Sequence, residues 1–120
     1  MRIRLVESYE KDNEEVWDYI MDVGAGRREI DPERAKRTLV LTPKTFAQVF
    51  SPERMRIILK LKEKKYLNIY QLAKELGRKY EAVHRNVSYL SHRGIIKIKT
   101  KDKKKIPYIH EPISIPQLTS

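Results

Sequence analysis

The chain has 120 residues, 40% of them hydrophobic and 35% charged, with 26 Lys or Arg against 16 Asp or Glu, a formal charge of +10 and no cysteine. That length suits one core with a short accessory region, the composition argues against a largely disordered chain, and zero cysteine excludes disulfides, thiol catalysis and cysteine-ligated zinc. No apolar run reaches the roughly 20 residues of a membrane span and MRIRLVESYE lacks a signal-peptide core, so a cytoplasmic protein is expected.

The charge is lopsided. Residues 1–50 carry 9 Lys or Arg against 10 Asp or Glu, whereas residues 51–120 carry 17 against 6. A basic chain can use its charge simply to stay dispersed, yet a one-sided excess is the footprint of a polyanion binder. Nucleic acid is preferred to a membrane surface, because no basic amphipathic helix with bulky apolar anchors is evident.

In chain order, Met1–Val6 alternates apolar and basic residues and predicts a short strand. Asp12 followed by Glu15 has capping-box spacing, and Val16, Ile20 and Val23 form a stripe, predicting a helix over 13–23 that stops at Gly24 and Gly26. On its other face Glu14, Asp18 and Asp22 recur every four residues; the reading is a solvated face, with a divalent ion or a basic partner as the alternative. Thr38–Leu41 predicts a second strand, pairing with the first or with the C-terminal segment.

Thr42-Pro43 and Ser51-Pro52 each place a capping hydroxyl before a proline at the first helical position, predicting two helices. Phe46, Val49 and Phe50 are assigned to the inner face of the first, and Met55, Ile58 and Leu59 with the stem of Lys62 to that of the second. Asn68 with Gln71 at capping-box spacing opens a third, lined by Ile69, Leu72, Ala73 and Leu76 and ended by Gly77. From Tyr80 to His92 a fourth has Tyr80, Val83, Val87 and Leu90 as its apolar positions, and Val83, Val87 and Leu90 are set inward. Arg78, Glu81, Arg85, Ser88, Tyr89 and His92 then face outward, with His84 and Asn86 on the flanks.

Gly94 ends that helix, and the alternation of IIKIKT, the KDKKK tip and the run from Ile106 to Ile109 predict a hairpin carrying Lys97, Lys99, Lys101, Lys103, Lys104 and Lys105. Pro107, Pro112 and Pro116 confine the remaining C-terminal chain to an edge strand and an extended tail. Two helices joined by a tight turn, the second apolar within and cationic without, have the layout of a helix-turn-helix DNA reader.

Leu72, Ala73, Leu76, Gly77, Val83, Val87, Leu90 and Gly94, followed by IIKI, resemble a winged helix-turn-helix domain, with spacing similar to that of the MarR and ArsR groups of prokaryotic regulators. The departure is Arg78, where those groups usually place an apolar residue; Tyr80 is expected to supply that packing and leave Arg78 for phosphate. More narrowly, TPKTFAQVFSPERMRIILKL, YEAVHRNVSYL and IPYIHEPISI, across about residues 36–115, are similar to archaeal and bacterial predicted transcriptional regulators of the MarR/ArsR-like type. The resemblance implies DNA binding and gene regulation and fixes no operator or ligand; no cofactor is expected.

The expected fold is α+β: a three-helix core with a basic hairpin wing over residues 42–120, preceded by a strand-helix-strand extension over residues 1–41 that pairs subunits. In the expected mode, helix 80–92 enters the major groove of double-stranded DNA and the wing over 95–109 lies on the backbone. Arg85 is assigned to base readout, because its planar fork can bond guanine bidentately, with a solvated surface charge as the alternative. Asn86 is a candidate partner for adenine, and Glu81 and Ser88 complete the reading face. Tyr89 and His84 are candidates for phosphate or thymine methyl, or for covering core. Arg78, Lys79 and the six wing lysines are assigned to the backbone.

Useful specificity from one small module implies a homodimer on a pseudo-palindromic operator, for which Trp17 and Tyr19 are candidate contacts, with core packing as the alternative for Trp17. No phosphate-binding glycine loop or nucleophile motif is present, and His84, His92 and His110 are dispersed, so neither an enzyme nor a metal site is expected. The competing reading is a winged-helix interaction module serving a protein, an RNA or DNA architecture without operator specificity.

Overall fold

In the computed structural model, described over residues 1–29, 38–65 and 67–118, the first backbone pairing is parallel. Strand β1 (Arg2–Leu5) lies beside β2 (Thr38–Leu41), in register from Arg2 with Thr38 to Leu5 with Leu41. Parallel neighbours need a crossover, and α1 (Tyr9–Gly24) lies within it. The other edge of β1 takes the C-terminal tail: the Ile3 N–H donates to the Ser114 carbonyl at 2.8 Å and the Ser114 N–H to that of Met1 at 3.0 Å. Beyond Ser114, the Gln117 side chain stands in for a strand, accepting the Leu5 N–H at 2.6 Å and donating to the Leu5 carbonyl at 3.0 Å. Ile3 and Leu41 are the buried residues of this layer.

The α1 start differs from the expected one. Ser8 is the N-cap, its hydroxyl accepting the Lys11 N–H at 3.2 Å, so the helix begins one turn before the Asp12–Glu15 pair. Asp12 is instead helical and its carboxylate is engaged by Arg4 of β1. Nor does the Val16–Ile20 stripe become core: no residue of α1 is buried, and Trp17, Ile20 and Met21 are 59%, 50% and 62% exposed. Within the acidic stripe, Asp22 is held by Arg27 at 2.9 Å.

The chain divides into two compact units, Met1–Ala47 with Ile113–Ser120, and Gln48–Pro112. The expected division fell at 41/42 with the tail in the second part; in the structure the tail groups with the first unit, because its backbone hydrogen bonds go to β1. Part of the 1–41 extension, residues 30–37, lies outside the described residues.

Helices α2 (Pro43–Val49) and α3 (Pro52–Glu63) start where hydroxyl-proline pairs place them. Thr42 accepts the Thr45 N–H at 3.2 Å and Ser51 the Arg54 N–H at 3.5 Å. In α2, Val49 is buried as expected. In α3 the buried face is Ile57, Ile58 and Leu61, while Leu59 is 58% exposed. An apolar run of Ile57, Ile58 and Leu59 fits two helical phases, and packing selects the one that continues to Leu61.

Helix α4 (Ile69–Leu76) opens with a reciprocal capping box and closes on Gly77 in the left-handed region, at φ 64°. The Arg78 N–H donates to the Ala73 carbonyl at 3.0 Å and the Gly77 N–H to that of Lys74 at 3.1 Å. This glycine-ended cap satisfies the last carbonyls and reverses the chain. Helix α5 (Tyr80–His92) presents Val83, Val87 and Leu90 to the core, all fully buried, with Leu72 and Ala73 from α4.

Gly94, at φ 74°, turns the chain into buried Ile95 and Ile96. They feed antiparallel strands β3 (Lys97–Lys101) and β4 (Lys104–Tyr108). Asp102 and Lys103 make a two-residue turn with positive φ at both positions, the backbone that matches strand twist in a tight hairpin. Helices α3, α4 and α5 followed by this hairpin form an α+β winged helix-turn-helix.

Candidate nucleic-acid interface

The basic residues that a polyanion would meet are concentrated in the second unit. Over Gln48–Pro112 there are 17 Lys or Arg and 6 Asp or Glu, so this unit holds the whole excess. On α5 the inward set forces Glu81 and Arg85 outward, both exposed, with His84, Asn86, Ser88 and Tyr89 half-buried beside them. Arg85 is free of any ion pair or hydrogen bond among the described residues. Its guanidinium therefore keeps its fork of donors available for a ligand.

Several neighbours are already engaged. His84 stacks against Tyr80 one turn earlier, with ring centroids 5.7 Å apart and planes tilted by 33°. Tyr80, 43% exposed, thus covers His84 rather than supplying turn packing, a correction to the expectation from spacing. Arg78 is half-buried, and its Nη1 is enclosed without a hydrogen-bond partner. Lys79, the N-cap of α5, makes no side-chain cap and is exposed. His92 is exposed as expected, and its ring is tied to its own helix through Nδ1, 2.8 Å from the Ser88 carbonyl.

The wing lysines Lys97, Lys99, Lys101, Lys103, Lys104 and Lys105 are all exposed. Pairing places Lys101 opposite Lys104 and Lys97 opposite Tyr108. Like charges facing each other across strands destabilise a hairpin in isolation, and an anionic partner relieves that repulsion. Lys99 Nζ lies 5.5 Å from the centroid of the Tyr108 ring.

The feature that the sequence did not disclose is centred on Tyr89. The guanidinium carbon of Arg54, from the first turn of α3, lies 3.6 Å from the ring centroid. That of Arg93, the residue that ends α5, also lies 3.6 Å from it. Two planar groups at this distance from one centroid must occupy opposite faces of the ring. Arg54 and Arg93 are absent from the residues picked out by helical periodicity on α5, because one belongs to another helix and the other is its cap.

No metal-capable group of three His, Cys, Asp or Glu side chains occurs among the described residues. No helix among them is long and apolar enough to cross a membrane.

Among solved structures, the fold is similar to a crystal structure from E. coli described as a predicted DNA-binding transcriptional regulator. The TM-score is 0.51 at 16% identity, over 57% of this chain and 73% of that one. It is also similar to the AntR antimony-specific transcriptional repressor, with a TM-score of 0.50 at 21% identity over 71% of this chain and 82% of that one. At these identities the likeness establishes the winged-helix fold. No curated protein matches the chain. A family model does match, from residue 49 to residue 115, through α3, α4, α5 and the wing, and on that match the chain belongs to the HVO_A0114 family.

Proposed function

We propose that this chain is a transcriptional regulator of the MarR/ArsR-like type that binds double-stranded DNA in a sequence-specific manner. In this reading α5 enters the major groove, α4 braces it across the backbone and the β3–β4 wing lies along the phosphates. The observation that carries it is Arg85, exposed and unpaired at mid-face of α5, within a unit that holds the entire cationic excess. Asn86, Glu81 and Ser88 flank it for base contacts, and Arg78, Lys79 and the wing lysines position the protein on the backbone. The two structural neighbours, a predicted DNA-binding transcriptional regulator and an antimony-specific transcriptional repressor, support the general role. The site of action is the nucleoid, in the cytoplasm.

The functional unit in this proposal is a homodimer on a pseudo-palindromic operator, its two copies joined through the first unit. The exposed Trp17, Ile20 and Met21 of α1, at spacings that share one helical face, support a second copy of this chain as the occupant of that face.

The reading is tested by titrating the purified chain against its own upstream DNA, random duplex and RNA at two salt concentrations, with sedimentation of the free and bound protein. Preference for one duplex and a dimer on DNA are expected. Steep salt dependence without sequence preference would replace the regulator with an architectural binder, and a monomer on DNA would remove the dimer.

A further inference from the structure

Tyr89 stands one helical turn beyond Arg85 on the exposed flank of α5, where a tyrosine invites assignment to a base or a thymine methyl. Its surroundings argue otherwise. The Arg54 and Arg93 guanidinium groups each lie 3.6 Å from the ring centroid, on opposite faces, so neither face is left for a base to stack upon. What remains available is the ring edge and its hydroxyl, between two cations.

Neither arginine has a carboxylate partner among the described residues. Arg54 gives one terminal nitrogen to the Gln48 carbonyl, while its Nε is enclosed without a partner. Two like charges held on one ring, with no carboxylate partner among the described residues, suit an anion with several acceptor oxygens. The ring fixes their separation, and the cation–π contacts hold the guanidinium planes in place. Arg85, Tyr89 and Arg93 recur every four residues on α5, so the cap arginine lies about 12 Å along the helix axis from Arg85. That separation is comparable to the width of the major groove, roughly 12 Å, so a helix reading bases at Arg85 has backbone within reach of its C-terminal end.

We propose that Arg54, Tyr89 and Arg93 form a clamp for a single backbone phosphate of bound DNA, with the tyrosine acting as spacer and hydroxyl donor and never as a base reader. The proposal rests on the DNA-binding reading above. It assigns to phosphate binding two residues outside the reading face and gives Tyr89 a role that is blind to sequence.

The test compares Arg54→Ala, Arg93→Ala, Tyr89→Ala and Arg85→Ala in full-length protein, with thermal melting to establish folding and Arg93→Lys as a milder variant. Each arginine-to-alanine change in the clamp is expected to weaken preferred and random duplex by the same factor, about fivefold at roughly 0.15 M salt, and to lower the salt slope by about one. Tyr89→Ala releases both guanidinium groups and should lose at least as much as either single change. Arg93→Lys keeps the charge, and with it the salt slope, while losing affinity. Replacing duplex phosphates one at a time with uncharged methylphosphonate should weaken wild-type binding at one linkage where Arg93→Ala shows no further loss. Losses confined to the preferred sequence, an unchanged salt slope in both arginine variants, or the absence of such a linkage would overturn the clamp while leaving DNA binding intact. Failure of the wild-type chain to bind any duplex would overturn both readings.

Discussion

Asn68 and Gln71 hold each other's backbone at the start of α4: the Gln71 N–H donates to Asn68 Oδ1 at 2.8 Å, and the Asn68 N–H donates to Gln71 Oε1 at 3.1 Å. Two donors that a helix start leaves open are satisfied by one four-residue pattern. Asn68→Ala should therefore lower stability by about 1 kcal/mol, measured by urea denaturation, without changing the slope with denaturant. A neutral result would mean that solvent replaces the cap at no cost.

At the other end of α4, Gly77 sits at φ 64° with nothing within 4 Å of the position a Cβ would take. The demand for glycine is thus one of backbone conformation, with no crowding involved. Gly77→Ala should cost about 1–2 kcal/mol, and Gly77→Asn less, because asparagine enters the left-handed region more readily. Equal losses in the two variants would show that conformation is not what selects glycine there.

Lys64, just past α3, and Glu75, near the end of α4, pair at 2.7 Å. The hydrogen bond and charge of Lys64 hold the Glu75 carboxyl below the usual carboxylate range, and Glu75 raises Lys64 above the usual ammonium value. The carboxylate's contribution is present above its ordinary value and disappears as pH falls through the lowered one. The ammonium's is full below its ordinary value and disappears as pH rises through the raised one. A Tm difference between wild type and Glu75→Gln should accordingly be seen near neutral pH, close in strong acid and shrink in high salt, since the pair is solvent-exposed. Persistence of the difference in acid would assign it to something other than the ion pair.

Arg85→Ala should cost roughly 1–3 kcal/mol of binding to the preferred duplex and relax the choice at one base pair, with random duplex little affected. The measurement is competitive binding against a panel of single-base variants. Unchanged preference across that panel would move the reading contact elsewhere on α5.

Replacing Lys101, Lys103, Lys104 and Lys105 together with Gln should weaken binding to every duplex and flatten its salt dependence, while the hairpin persists because its turn and strand pairing remain. Relief of the Lys101–Lys104 repulsion should leave the free protein no less stable. A loss specific to one sequence would give the wing a reading role.

Much of the second unit was legible from residue order because its signals are local. The α4 cap, the glycine that ends α4, the stripe Val83, Val87 and Leu90, and the alternation into the wing each depend on neighbours within one or two turns. The first unit was harder for the converse reason. Ser8 and Asp12 both precede helix-forming residues, and it is the Arg4 contact from another element that draws Asp12 to β1. The same holds for α3, where the apolar run admits two phases and only packing chooses the buried set Ile57, Ile58 and Leu61.

The sequence by itself determined the order of elements, the turn between α4 and α5, and the location of the cationic excess, since periodicity, capping and charge are properties of nearby residues. Tertiary structure alone decided that Gln117 completes the edge of β1 and that Arg54 of α3 closes on the face of Tyr89 opposite the one that Arg93 takes. Those relationships join residues through space, where no helical or strand period records them.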